Sequence, residues 1–159
     1  MNIFKRSINW AKGKGLLKQG INPEIDIGFI FEECLEMLGE NKDECNKKGI
    51  QMAWGNSKIK DKKEFNDLEV AELLDGCGDA IIYITNFMGK ILTKQGYSAD
   101  KIPNKIVEIM NYIMDYNELK NLKMDENGKL IKTPEWEKKM KDKLPQYQIT
   151  KMLRKFKRQ

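Results

Sequence analysis

Between Asn66 and Gly96 the chain runs without a proline, and this stretch limits the fold more than any other feature. Asn66-x-x-Glu69 has the form of a capping box, and Gly96 suits a helix stop, so the spacing predicts one long helix over about residues 67–95. Val70, Leu73, Leu74, Cys77, Ile81, Ile82 and Ile84 are expected to form its buried side. A helix this long and apolar needs other helices along it. Strand-like alternation is nearly absent from the rest of the chain, so the expected architecture is all-α, a four- to five-helix bundle. Gly76 and Gly78 each weaken the helix by roughly 1 kcal/mol relative to alanine. Glycines there imply that another backbone or a ligand comes close.

The flanking segments fit the same architecture. Residues 5–18 read as a helix anchored by Ile8, Trp10, Leu16 and Leu17, with Gly13, Gly15 and Gly20 blurring its end. Asn22-Pro23-Glu24 is a helix start: a capping side chain, a proline whose missing N–H costs nothing there, and an acid at the positive end. Ile27, Phe31, Cys34, Leu35 and Leu38 form the expected core stripe of the helix that follows, and Gly39 its stop. Residues 40–64 are polar and lysine-rich, with Ile50, Met52 and Trp54 as candidate anchors, and read as a connection that can include a short helix. Ser98 is placed to cap a further helix from Pro103 to about Leu122, with Ile106, Ile109, Met110, Ile113 and Met114 apolar. Asp125-Glu126-Asn127-Gly128 reads as a turn, and Lys129–Lys132 as a short extended piece. The expected division is a helical domain over 1–137 and a basic tail over 138–159.

Composition narrows the chemistry. The 159 residues contain no histidine, and Cys34, Cys45 and Cys77 are scattered. Histidine-based triads and zinc sites are therefore out of reach, and the cysteines read as reduced thiols. Acid–base work must run on carboxylates, lysines or metal-bound water. Net charge is +5, concentrated toward the C-terminus in Lys138, Lys139, Lys141, Lys143, Lys151, Arg154, Lys155, Lys157 and Arg158. No apolar run is long enough to span a bilayer, and the first residues lack a signal-peptide pattern, so a cytoplasmic protein is expected.

Two acidic clusters carry the functional signal. On a helix turning about 100° per residue, Glu32 and Glu36 project within roughly 40° of one another, with Glu33 beside them. Glu72, Asp75 and Asp79 share a stripe roughly 60° wide. If the two faces meet, so many carboxylates cannot all stay ionised in a dry site without cations between them. The counter-ion that suits an all-oxygen cage is Mg2+, with Mn2+ as a substitute. Continuing the second stripe along its helix reaches Asn86 and then Lys90, donors suited to a polyphosphate beside the metal.

These residues resemble a known family. Glu32-Glu33-x-x-Glu36, followed by an acidic helix ending Asp79-Ala-Ile-Ile-Tyr, looks like the MazG-type all-α nucleoside triphosphate pyrophosphohydrolases. Trp10-Ala-x-Gly-Lys-Gly-Leu-Leu resembles the lead-in common in that group, and Asn86 falls where such sequences often carry an asparagine. Asp75-Gly-x-x-Asp79 resembles a phage and bacterial subgroup labelled phosphoribosyl-ATP pyrophosphohydrolase-like. So does the later series Asn117-x-x-Lys120, Asp125–Lys129, Lys132, Pro134, Trp136. The likeness covers about residues 8–136. The gap between Glu36 and Glu72 is longer than usual for the family, and the inserted stretch is either a loop or an extra helix over the base pocket.

The resemblance implies hydrolysis of a nucleoside triphosphate, with or without a 2′-hydroxyl, to the monophosphate and pyrophosphate. Metal-activated water would attack the α-phosphorus. Glu33, Glu36, Asp75 and Asp79 would hold the metal, with Glu72 as a neighbour, and Glu32 would take the water's proton. Asn86, Lys90, Asn117, Lys120 and Lys132 would bind substrate. The resemblance also implies a homodimer or a dimer of dimers. Three alternatives stand beside this reading: an all-α dUTPase, a small nucleic-acid-binding bundle using the basic tail, which ranks well below, and a structural bundle without activity.

Overall fold

A computed structural model describes residues 2–18, 22–56, 64–120 and 131–156, and for residues 23, 24, 42, 43, 56, 137 and 156 the backbone alone. The regular structure among these residues is helical and contains no strand, so the all-α expectation holds. The helices are α1 (Ile3–Gly13), α2 (Pro23–Met37), α3 (Lys42–Asn56), α4 (Asp67–Lys94), α5 (Ile102–Glu118), α6 (Pro134–Met140) and α7 (Pro145–Phe156). Gly20, the expected turn at Asp125–Gly128, Lys129, and the terminal Lys157 and Arg158 lie outside the described residues.

Helix ends follow local chemistry. Asn2 Oδ1 accepts from the Phe4 amide at 2.8 Å, and Asn22 Oδ1 from the Ile25 amide at 3.3 Å. The capping box at α4 is reciprocal: Glu69 N–H donates to Asn66 Oδ1 and Asn66 N–H to Glu69 Oε2, both at 3.0 Å. Gly39 and Gly96 follow α2 and α4 with φ of 85° and 93°, a conformation that costs a residue with a Cβ free energy. Ser98 does not cap α5. It hydrogen-bonds Asp100 and holds that carboxyl below its ordinary range, while Lys101 stands at the N-cap without a side-chain bond.

The chain divides into two compact units, Leu17–Glu72 and Met1–Leu16 with Leu73–Gln159. In the first, α2 pairs with α3. The stretch expected to be a connection is thus a full helix over Lys42–Asn56. Its face toward α2 carries Cys45, Gly49 and Ala53, all buried and spaced by one helical turn. The crossing is close: a Cβ on Gly49 would sit 2.5 Å from the Gly28 carbonyl oxygen and 2.7 Å from the Glu32 amide nitrogen. This corrects the expected α2 stripe. Among the described residues of α2 the buried positions are Gly28 and Glu32; Ile27, Phe31, Cys34 and Leu35 are half-buried, and Leu38 is 81 % exposed.

In the second unit, Leu92 of α4, Tyr97, Ile109 of α5 and Met152 of α7 form a buried cluster. Met88, Ile102, Ile106, Tyr112, Ile113, Ile149 and Leu153 pack around it. The segment expected to be a basic tail therefore contributes a helix to the core, because Ile149, Met152 and Leu153 fall on one side of α7 and its cations on the other. α1 docks on α5 through polar side chains. Arg6, 12 % exposed, donates to Asn111 Oδ1 at 2.6 Å, Asp115 Oδ1 at 2.7 Å and Glu118 Oε2 at 2.9 Å. Those carboxylates hold the guanidinium pKa above its ordinary value.

The expected buried side of α4 is the largest departure. Val70, Leu74, Cys77, Ile81, Ile82 and Ile84 are exposed and Leu73 is half-buried, with Leu74 at 67 % and Ile82 at 57 %. Four successive residues, Ile81-Ile82-Tyr83-Ile84, point in four directions about the axis, so one neighbouring helix cannot cover them all. Nothing among the described residues lies within 4 Å of a Cβ built on Gly76 or Gly78, so no described backbone of this chain makes the expected close approach.

Candidate functional site

The α2 cluster is shaped by the close crossing with α3. Gly49 brings the α3 backbone against that of α2 at Glu32, and Asn46, one turn earlier on α3, then reaches the Glu32 side chain. Its Nδ2 donates to Glu32 Oε2 at 2.9 Å. Glu32 is 6 % exposed, the buried acid among the described residues. Glu36 is half-buried and Glu33 exposed. The Cys45 thiol pKa is pushed up, first by burial and then by the charges of Glu36, Glu40 and Glu32. Lys48 answers Glu40 at 2.8 Å and Glu44 at 3.0 Å, which lowers the Glu40 pKa and raises that of Lys48.

On α4 the helix geometry places Glu72, Asp75 and Asp79 on one stripe as expected, all three exposed. Among the described residues none of them is in an ion pair. Farther along the same helix, Asn86 and Lys90 come together with Tyr83 in a groove of about 720 Å3 that also takes in Phe87, Thr93 and Ile102.

A second asparagine–lysine pair sits at the C-terminal end of α5. Lys120 Nζ donates to Asn117 Oδ1 at 2.5 Å and lies 4.8 Å from the centre of the Tyr116 ring. Tyr116 in turn packs on Trp136 with ring centres 5.6 Å apart. α1 and the residue that caps its end supply the rest: Trp10 Nε1 donates to the Asn117 carbonyl at 3.0 Å and Lys14 Nζ to the Lys120 carbonyl at 2.6 Å. Carbonyls at a helix end lack partners within the helix, and Lys14 satisfies one just past α5. The motif residues Trp10 and Lys14 therefore fasten α1 to α5. Lys132 is exposed in the irregular lead-in to α6.

The structure thus gathers the expected residues into smaller sets: Glu32, Glu33 and Glu36 on α2; Glu72, Asp75 and Asp79 on α4; Asn86 with Lys90; and Asn117 with Lys120. Among the described residues, no three acidic or thiol side chains converge so as to hold a metal ion. Sequence reasoning missed Asn46. The signal that could have found it is the recurrence of small residues one turn apart, Cys45, Gly49 and Ala53, which marks a close helix pair.

The chain matches no family model, no curated protein and no solved structure. The class defined by fold and site is an all-α protein with one carboxylate buried in a helix crossing. Among the described residues no helix is long and apolar enough to cross a membrane.

Proposed function

We propose that this chain is a metal-dependent hydrolase of nucleoside triphosphates, releasing pyrophosphate and the monophosphate in the manner of the MazG-like group. The observation that carries the reading is Glu32, buried and held by Asn46. Burying a carboxylate costs free energy, and a hydrophobic residue would pack there without that cost. A buried, hydrogen-bonded acid in a close crossing favours a role in proton transfer.

The donor set suits a hard divalent cation, since the acids that would hold it offer only oxygen. Glu33, Glu36, Asp75 and Asp79 would hold Mg2+ or Mn2+, with Glu72 as a neighbour. Such an ion, when bound, offsets triphosphate charge and makes water more acidic. The chain's own groups do the remainder. Glu32 takes the proton from the attacking water, and Asn46 fixes the carboxylate's orientation. Lys90, with Asn86 beside it, neutralises phosphate charge, and Tyr83 in the same groove offers a ring face to the base. Lys120, steadied by Asn117, and Lys132 add positive charge on the substrate.

The exposed apolar residues of α4 support the assignment of a homodimer, with a dimer of dimers as the larger form. A second copy offers matching apolar surface on several sides of that helix.

The test is pyrophosphate release from a panel of ribo- and deoxynucleoside triphosphates, with Mg2+ and with EDTA. Metal-dependent release is expected, lost in Glu36→Gln and reduced about 10²-fold or more in kcat in Glu32→Gln. Turnover of dUTP alone would redirect the assignment to a dUTPase. No release from any nucleotide, with no rise in melting temperature on adding Mg2+, would overturn it.

A further inference from the structure

A second pocket lies between α5 and α7, with about 390 Å3 of space. Two helical stripes line it. Lys105, Glu108 and Tyr112 recur at three- and four-residue spacing on α5, and Lys151 and Lys155 lie one turn apart on α7. The buried side chains of Tyr97 and Met152 also line it. The hydrolase reading uses none of these residues.

The charges in this pocket are unequal. Glu108 is its single acid, and both its oxygens are engaged: Lys105 Nζ donates to Oε2 at 2.7 Å and the Tyr112 hydroxyl to Oε1 at 2.6 Å. These contacts, the lysine's first, hold the Glu108 carboxyl below its ordinary range, so it is ionised at neutral pH and consumes the charge of Lys105. Its pull on the Tyr112 proton pushes that phenol up to about 12. Lys151 and Lys155 remain, the charge of Lys155 bearing on Glu108 more weakly than that of Lys105. Among the described residues neither is in an ion pair, and both are exposed.

We propose that this pocket binds a small phosphate-bearing molecule, its phosphate held between Lys151 and Lys155. Two ammonium groups one turn apart match a dianion, and lysine serves phosphate well as a flexible point charge. The recess selects a small molecule: its space suits a single compact ligand, whereas a nucleic-acid backbone is followed by an extended basic track. The inference is independent of the hydrolase reading.

Isothermal titration of the full chain in EDTA, on the Glu36→Gln background, separates this site from metal-dependent turnover. Inorganic phosphate, pyrophosphate and AMP are the probes. Saturable one-site binding of at least one probe is expected. It should weaken about tenfold when Lys151→Gln and Lys155→Gln are combined, at unchanged melting temperature. Glu108→Gln removes the one repelling charge and should tighten binding about threefold, a sign that a merely structural role would not give. Absence of saturable binding by all three probes would overturn the proposal, as would binding that the double variant leaves unaltered. Competition by single-stranded oligonucleotides that strengthens with their length would overturn it in favour of a nucleic-acid surface.

Discussion

Helices α2 and α3 touch through their backbones, whereas α1 and α5 touch through the ends of long side chains. The first joint is steric and tolerates no added atom at its centre. The second is polar and is spread over Arg6, Trp10 and Lys14. A close crossing fixes position at the cost of variability in sequence, while a set of long polar arms holds two helices together and lets each arm be lost singly.

The comparison is broken most directly at Gly49. Gly49→Ala places a methyl carbon against the α2 backbone at Gly28 and Glu32, so neither neighbour can yield by a rotamer change. The expected loss is about 3 kcal/mol, read from the midpoint of urea denaturation. A loss under 1 kcal/mol would show that the crossing is looser than described. Arg6→Met tests the other joint. It removes charged hydrogen bonds to Asn111, Asp115 and Glu118 but leaves apolar bulk, and because the partner carboxylates are exposed the expected loss is about 1–2 kcal/mol. That loss should shrink as salt is raised, and a loss indifferent to salt would assign the arm's effect to packing alone.

Gly76→Ala sharpens the contrast from the opposite side. With open space about it and an ordinary helical position, the substitution should stabilise the protein by about 0.7 kcal/mol in the same denaturation experiment. Destabilisation there would place the second copy of the proposed homodimer, or a ligand, against Gly76 itself. The smallest effect belongs to Glu108, whose pKa is lowered in the fold by Lys105 and then Tyr112. A depressed carboxylate contributes stability that is present above the ordinary glutamate pKa, about 4.3, and lost as pH falls through the folded value. Glu108→Gln should therefore cost about 0.5 kcal/mol at pH 7 after screening, and nothing at a pH well below the folded value. Melting temperatures followed from pH 7 down through the acid range check this, the difference between the two proteins shrinking as pH falls.

The parts of the fold legible in the sequence are those written in hydropathy and capping. The long α4 with its reciprocal Asn66–Glu69 box, and the Ile106, Ile109 and Ile113 stripe of α5, both stood out. α3 was hidden because its buried face is made of Cys45, Gly49 and Ala53, where small size rather than hydrophobicity is the signal. α7 was hidden because Lys151, Arg154 and Lys155 interrupt Ile149, Met152 and Leu153, although the spacing of the apolar three is helical. For α4, periodicity shows which residues would prefer burial and says nothing of whether the same chain supplies the cover. At the candidate site, the grouping of acids on one side of each helix followed from the 100° turn. The bond from Asn46 to Glu32 did not, because it depends on which helix pairs with α2 and at what register.

The glycine contact at Glu32 also has a mechanical consequence. Two helices kept apart by side chains can slide or roll as rotamers change. Two helices in backbone contact lose those freedoms near the contact and keep mainly a hinge about it. The pivot of the α2–α3 pair lies beside Glu32, so swinging motions that carry the helix ends through wide arcs displace this carboxylate least. In the proposed hydrolysis, a group that would have to meet a water molecule at a fixed distance would sit at the still point of the lever.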